Sequence, residues 1–287
     1  MQPTGTILDT ETVELNRYAH ATVKRMYGVR VIEDTIVERI TYLSDGLKVK
    51  GYVTRPKEPG VYPMLIWNRG GFGDRGALDD LTAYLILASA AVWGYVVLAT
   101  QYRGNKGGEG TEDFGGDDVN DAFAMLEVAK NIPECDLSRV AVEGASRGGM
   151  TTYQLLTRYD KFRCAIVHAG LTDLAARCAA NEDFRKFMRQ KLSHLTEDQL
   201  QAEVRRRSAI NLVAQFPKTT PVLLFHGTAD KRVPIEQSQR MANELKKHDI
   251  PYEFVILEGA GHVALKDGSY KQIDLHRKAW LERYLQS

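Results

Sequence analysis

Ser146 lies in "VAVEGASRGGM" (residues 140–150), held between Gly144 and Gly148. Four residues of strand character, Val140 to Glu143, run into small residues and then into a helical pattern, Met150 to Tyr159. A strand that turns sharply into a helix exposes one side chain at its apex and tolerates little beyond glycine or alanine beside it. The helix that follows aims free N–H groups and its positive end at that apex. The motif alone is weak, since composition produces G-x-S-x-G in roughly one chain in ten of this length. Two further residues strengthen it. Asp230 ends "HGTAD", after the apolar run Val222–Phe225, and His262 ends "EGAGH", after Phe254–Leu257. Alone, Asp230 reads as a turn residue and His262 as a hydrogen-bonded loop histidine. Together they supply what a serine nucleophile needs: an imidazole to take the hydroxyl proton, and a carboxylate to fix its tautomer and stabilise the imidazolium.

Those residues need a scaffold that brings three strand ends together. "IVERITYL", the turn "SDG" at 44–46 and "LKVKGYVTR" form a hairpin signal, because Asp-Gly stands between alternating apolar residues. Short apolar strands then read at Met64–Trp67, Tyr95–Ala99, Val140–Val142, Ala165–Val167, Val222–Phe225 and Phe254–Leu257. Helical patterns at Leu78–Val92, Val119–Lys130, Met150–Tyr159, Glu236–Lys247 and Asp274–Leu285 alternate with them. That alternation predicts a mostly parallel sheet with helices on both faces. Function in such sheets collects at the carboxyl ends of the strands. Ser146, Asp230 and His262 all follow strands, in the chain order of an α/β-hydrolase. Residues 172–216 are charged, helical and without a strand, and "TEDQ" (196–199) is a capping box, so this stretch reads as a helical insertion over one edge of the sheet. Residues 1 to about 36 are a polar N-terminal extension with a weak helical pattern at Val13–Met26, and one domain over 1–287 is the simplest count.

Acyl transfer also needs two donors for the developing oxyanion. The backbone N–H of Arg147 is one. The loop "NRGGFG" (68–73) should supply the other, from the Gly71 N–H first or the Arg69 side chain second. At this point "GASRGG", "HGTADKRVPIEQS" and "EGAGH", with "QYRGNKGGEG", "DLSRVAVEG" and "RRRSAIN" between them, resemble the catalytic domain of the prolyl oligopeptidase family, over roughly Val37 to Leu285. The resemblance implies a serine peptidase with Ser146, Asp230 and His262 as its triad. It also implies an Arg232 contact to the substrate carbonyl, with Tyr102 and Arg103 of "QYRGNKGGEG" on the substrate side. The chain departs from many members in carrying Arg69 where they have tyrosine or histidine. Larger members place a β-propeller before the hydrolase domain; none fits in the residues before the hairpin here.

Composition narrows the classes. With 44% hydrophobic and 26% charged residues and a net charge of +1, nothing favours nucleic acid or an acidic membrane. Cys135, Cys164 and Cys178 are too scattered for a disulfide framework or a zinc site, no metal or other cofactor is expected, and a reducing cytoplasm is the expected setting. The expected partner is a peptide or small-molecule substrate, with homo-oligomerisation left open. A carboxylesterase on the same triad is the nearest alternative. An NADP-dependent oxidoreductase rests on the G-x-G-x-x-G of Gly71, Gly73 and Gly76, with Arg103 for a 2′-phosphate. A non-catalytic hydrolase-fold binding protein is the third. The acidic, glycine-rich "GGEGTEDFGGDD" reads as a surface loop. Five basic residues on the active-edge loops, Arg69, Arg103, Arg147, Lys231 and Arg232, predict a positive mouth that favours anionic substrates.

Overall fold

The structure is a computed structural model and describes residues 2–262 and 268–286. Among these, nine strands form one sheet: β1 (Ile7–Thr12), β2 (Thr35–Ser44), β3 (Leu47–Pro56), β4 (Tyr62–Asn68), β5 (Val96–Thr100), β6 (Cys135–Ala145), β7 (Phe162–His168), β8 (Val222–Gly227) and β9 (Tyr252–Leu257). Their spatial order is β1-β2-β3-β5-β4-β6-β7-β8-β9. The first three are antiparallel and β3 meets β5 antiparallel; every pairing from β5 through β4 to β9 is parallel. Each parallel pairing needs a crossover connection, which is what the helical stretches provide.

Those helices are α1 (Arg17–Tyr27), α2 (Arg30–Glu33), α3 (Asp80–Ala83), α4 (Ser89–Ala91), α5 (Val119–Phe123), α6 (Met125–Ala129), α7 (Arg147–Leu156), α8 (Leu174–Ala180), α9 (Glu182–Lys191), α10 (Glu197–Arg207), α11 (Glu236–Lys247) and α12 (Tyr270–Leu285). The period-2 alternation of the strands divides the core between the two faces. Met64, Ile66, Val140, Val142, Val222 and Leu224 pack with Val119, Met125, Tyr153 and Met241. Their neighbours Leu65, Trp67, Ala141, Leu223 and Phe225 pack on the other side with Val23, Leu87, Trp280 and Leu281. A chain buried on both sheet faces explains why these strands read as short continuous apolar runs.

The hairpin forms as its turn chemistry dictates: Asp45 and Gly46 both have positive φ, 51° and 79°, which suits the right-handed strand twist. The expected helices over 78–92 and 119–130 are interrupted. A π-helical turn at Tyr84–Ala88 separates α3 from α4, and Ala124 separates α5 from α6. The N-terminal stretch also differs from expectation. Ile7–Thr12 pairs with β2 as an edge strand, and five of its six residues are exposed, so no alternation betrays it. Among the described residues no helix is long and apolar enough to cross a membrane.

Candidate active site

β6 leads straight into α7, and Ser146 occupies the corner with φ 56° and ψ −119°. A non-glycine residue adopts that conformation at a cost of roughly 1–3 kcal/mol, and only where the surroundings enforce it. Here they do. A Cβ on Gly148 would lie 1.9 Å from the Asn68 carbonyl oxygen, and one on Gly144 would lie 2.3 Å from the Gly148 carbonyl oxygen. Both glycines of G-x-S-x-G are therefore steric necessities of the corner. Ser146 N–H donates to the His168 carbonyl at 2.8 Å, and the Ser146 carbonyl accepts from Leu171 at 3.0 Å, so β7 and the chain beyond it brace the turn.

β6, β7, β8 and β9 are neighbours with parallel direction, so Ser146, Asp230 and His262 share one edge of the sheet. His262 Nδ1 lies 2.6 Å from Asp230 Oδ2. Oδ1 of Asp230 accepts from the N–H groups of Arg232 at 2.8 Å and Val233 at 3.0 Å. Burial alone would push this carboxyl up; hydrogen bonds from His226, His262 and Val233 outweigh that and hold it well below the usual carboxylate range. An ionised carboxylate only accepts, so Nδ1 of His262 must carry the proton, which leaves the Nε2 lone pair as a base.

The loop after β4 lies against Ser146: a Cβ on Gly70 would sit 3.2 Å from Ser146 Cβ. Gly71 has φ 73°, and a Cβ there would meet the Arg75 carbonyl oxygen at 2.0 Å, so only glycine fits. Arg147 is the first residue of α7, and its N–H is among those a helix start leaves without an intrahelical acceptor.

The arginine side chains are elsewhere than expected. Arg69 is fully buried and donates to the carbonyls of Gln101, Gly70 and Gly73, which removes its side chain as an oxyanion donor. Arg103 pairs with Asp121 at 2.9 Å and Asp45 at 2.8 Å, and so is withheld from a substrate or a nucleotide 2′-phosphate. Tyr102 is also buried, its hydroxyl donating to the Arg69 carbonyl at 3.2 Å beneath the stacked Arg147 guanidinium, so it too is withheld from substrate. Arg147 pairs with Glu112 at 2.7 Å and with Asp118. Three of the five expected rim charges are thus neutralised inside the protein; Lys231 and Arg232 remain exposed.

The acidic loop changes role accordingly. Glu112 and Asp118 are buried, and Glu112 also accepts from the Gly73 N–H at 2.7 Å. A carboxylate therefore occupies the donor that a dinucleotide phosphate would need in the 71–76 glycine loop. The loop turns inward because the Arg147 guanidinium, fixed at the Ser146 corner, must be paired. Arg147→Met should leave buried Asp118 with no cation among the described residues and Glu112 with only the longer contacts to Lys191 at 3.7 Å and Arg69 at 4.0 Å, and cost about 3–5 kcal/mol. At roughly 2–4 °C per kcal/mol, a thermal melt should drop by about 10 °C; a drop below about 2 °C would show that the cluster contributes nothing net.

Two contributors escaped the sequence reading. His226, the first residue of "HGTAD", is buried with Nε2 2.8 Å from the Val233 carbonyl oxygen and 3.3 Å from Asp230 Oδ2, while Nδ1 meets Ser238 Oγ at 2.7 Å. It ties the 227–233 turn to α11 and so aims Asp230. Its place at a strand end was the available signal. The second is the aromatic seam of the 172–216 insertion, which comprises α8, α9 and α10. Phe187 on α9 lies 4.5 Å from Phe72, next to Gly71, and 5.2 Å from Phe114. The insertion thereby rests on the loop beside Ser146.

A strand–serine–helix corner, an acid–histidine pair and a parallel sheet with helices on both faces define an α/β-hydrolase. A profile of the prolyl oligopeptidase family matches residues 82–287, and the chain belongs to that family of serine peptidases. It is 33% identical over 218 residues to the uncharacterized peptidase YtmA of Bacillus subtilis, covering 75% of this chain and 81% of that one. With the acylamino-acid-releasing enzyme of Homo sapiens it shares 25% identity over 282 residues, 91% of this chain but 37% of that one. An acylaminoacyl peptidase structure from Pyrococcus horikoshii has the same fold, with TM-score 0.75 and 20% identity over 96% of this chain and 45% of that one.

Proposed function

We propose that this serine peptidase cleaves aminoacyl or acylaminoacyl bonds of short substrates through an acyl-enzyme on Ser146. His262 Nε2 takes the Ser146 hydroxyl proton as Oγ attacks the carbonyl carbon, and Asp230 stabilises the imidazolium that results. The backbone N–H groups of Arg147 and Gly71 receive the oxyanion. The imidazolium then returns its proton to the departing amine, and water repeats the sequence to release the acid. The 2.6 Å contact of His262 with an ionised Asp230 carries this reading, because it fixes which imidazole nitrogen is basic. Seating of the helical insertion on the oxyanion loop supports small substrates, and the shared acylaminoacyl peptidase relatives favour amides over esters.

The test is a matched set of aminoacyl p-nitroanilides and p-nitrophenyl esters on one sample, with fluorophosphonate labelling alongside. Turnover of both series and labelling at Ser146 are expected. Ester turnover with no measurable anilide cleavage would make the protein a carboxylesterase, and failure to label would remove Ser146 as nucleophile.

A further inference from the structure

One guanidinium beside this site has no carboxylate or carbonyl partner among the described residues. Arg177, on α8, is held half away from solvent. Among the described residues, every other arginine withdrawn from solvent donates to a carboxylate or a carbonyl. Arg177 alone has neither, and Asp173, the acid that caps its helix, is taken at 2.8 Å by Arg240. Its guanidinium carbon lies 5.1 Å from the centroid of the Phe184 ring. Burial pushes the guanidinium down in pKa, and the field of Asp230 partly restores it. Asp230 itself cannot pair with it, since that side chain is fully buried and its oxygens already accept from His262, Arg232 and Val233.

Two runs of contacts connect the surroundings of Arg177 to Ser146. The chain entering α8 is bonded to Ser146 through the Leu171 N–H. Phe184, which carries the guanidinium, packs 5.9 Å from Phe187, and Phe187 packs on Phe72 of the oxyanion loop. The charge of Asp230 also acts on the guanidinium. A planar guanidinium stacked on an aromatic ring is oriented while its donor edge stays free, the arrangement suited to bidentate carboxylate binding. Exposed Lys231 and Arg232 extend the positive field at the same edge.

We propose that Arg177 binds a carboxylate on the acyl part of the substrate, so that the site selects acidic acyl groups. This rests on Ser146 being the nucleophile, and the test separates the two ideas. Two fluorophosphonate probes with the same short tail, one ending in a carboxylate and the other in its methyl ester, are compared by their rates of Ser146 labelling at low salt. A hydrogen-bonded charge pair predicts that the carboxylate probe reacts about tenfold faster or more in the unmodified protein. The ratio should fall to about one in Arg177→Gln and take an intermediate value in Arg177→Lys, which keeps the charge but loses the fork and the stack. Equal rates in the unmodified protein would overturn the proposal. So would a ratio that survives Arg177→Gln, including the case where both rates fall together, which marks Arg177 as packing for the cap. No labelling by either probe would instead remove Ser146 as nucleophile, and the proposal with it.

Discussion

Ser146→Ala is expected to lower turnover by about a millionfold, the loss that follows when the nucleophile of a serine triad is removed. The covalent route disappears with the hydroxyl, and what remains is binding and oxyanion stabilisation acting on water. The fold should be unaffected or slightly stabilised. Alanine tolerates φ 56° no better than serine, but the corner is enforced by Gly144, Gly148 and the bonds to His168 and Leu171, which the substitution leaves in place. Purified variant is assayed on the best anilide substrate and by fluorophosphonate labelling, with a thermal melt as the control. Retention of more than a few per cent of turnover with an unchanged melt would place the nucleophile elsewhere.

Asp230→Asn should cost about ten thousandfold in kcat, because the amide favours the wrong tautomer of His262. The amide NH2 can donate where the carboxylate only accepted, so Nδ1 becomes the acceptor and the proton moves to Nε2, the atom that must be the base. The backbone donors of Arg232 and Val233 meet Oδ1 and can still be satisfied by the amide oxygen, so the geometry should survive. KM is expected to change far less than kcat. Near-normal activity in this variant, with His262→Ala inactive, would transfer the carboxylate role. Asp173 is a poor substitute, because it caps α8 through the Ala176 N–H and pairs with Arg240. Asp267, the first acid after His262 in the chain, lies outside the described residues.

How far the sequence reached depended on whether the relevant physics was local. The corner at Ser146 was legible because a left-handed serine flanked by glycines is a property of a few consecutive residues. The Asp45–Gly46 hairpin and the Thr196–Gln199 capping box were legible for the same reason. The strand ends at Asp230 and His262 followed from short apolar runs, which double burial imposes on β8, while the edge strand β9 keeps its run although Ile256 is exposed. The arginines went the other way. Arg103 finds Asp121 and Asp45, and Arg147 finds Glu112 and Asp118, across 18 to 58 residues of chain. Nothing in the spacing of a basic residue states whether a carboxylate will be folded against it. The acidic loop is exposed at Gly107, Glu109, Gly110, Thr111 and Asp117, but the burial of Glu112 and Asp118 was hidden for the same reason, since it is decided by the guanidinium they must meet. β1 escaped because an exposed edge strand carries no alternation. Arg177 drew no attention in the sequence, where it is one arginine in a charged helical stretch. Its isolation is a fact about where all the other carboxylates went, and only the packed structure decides that.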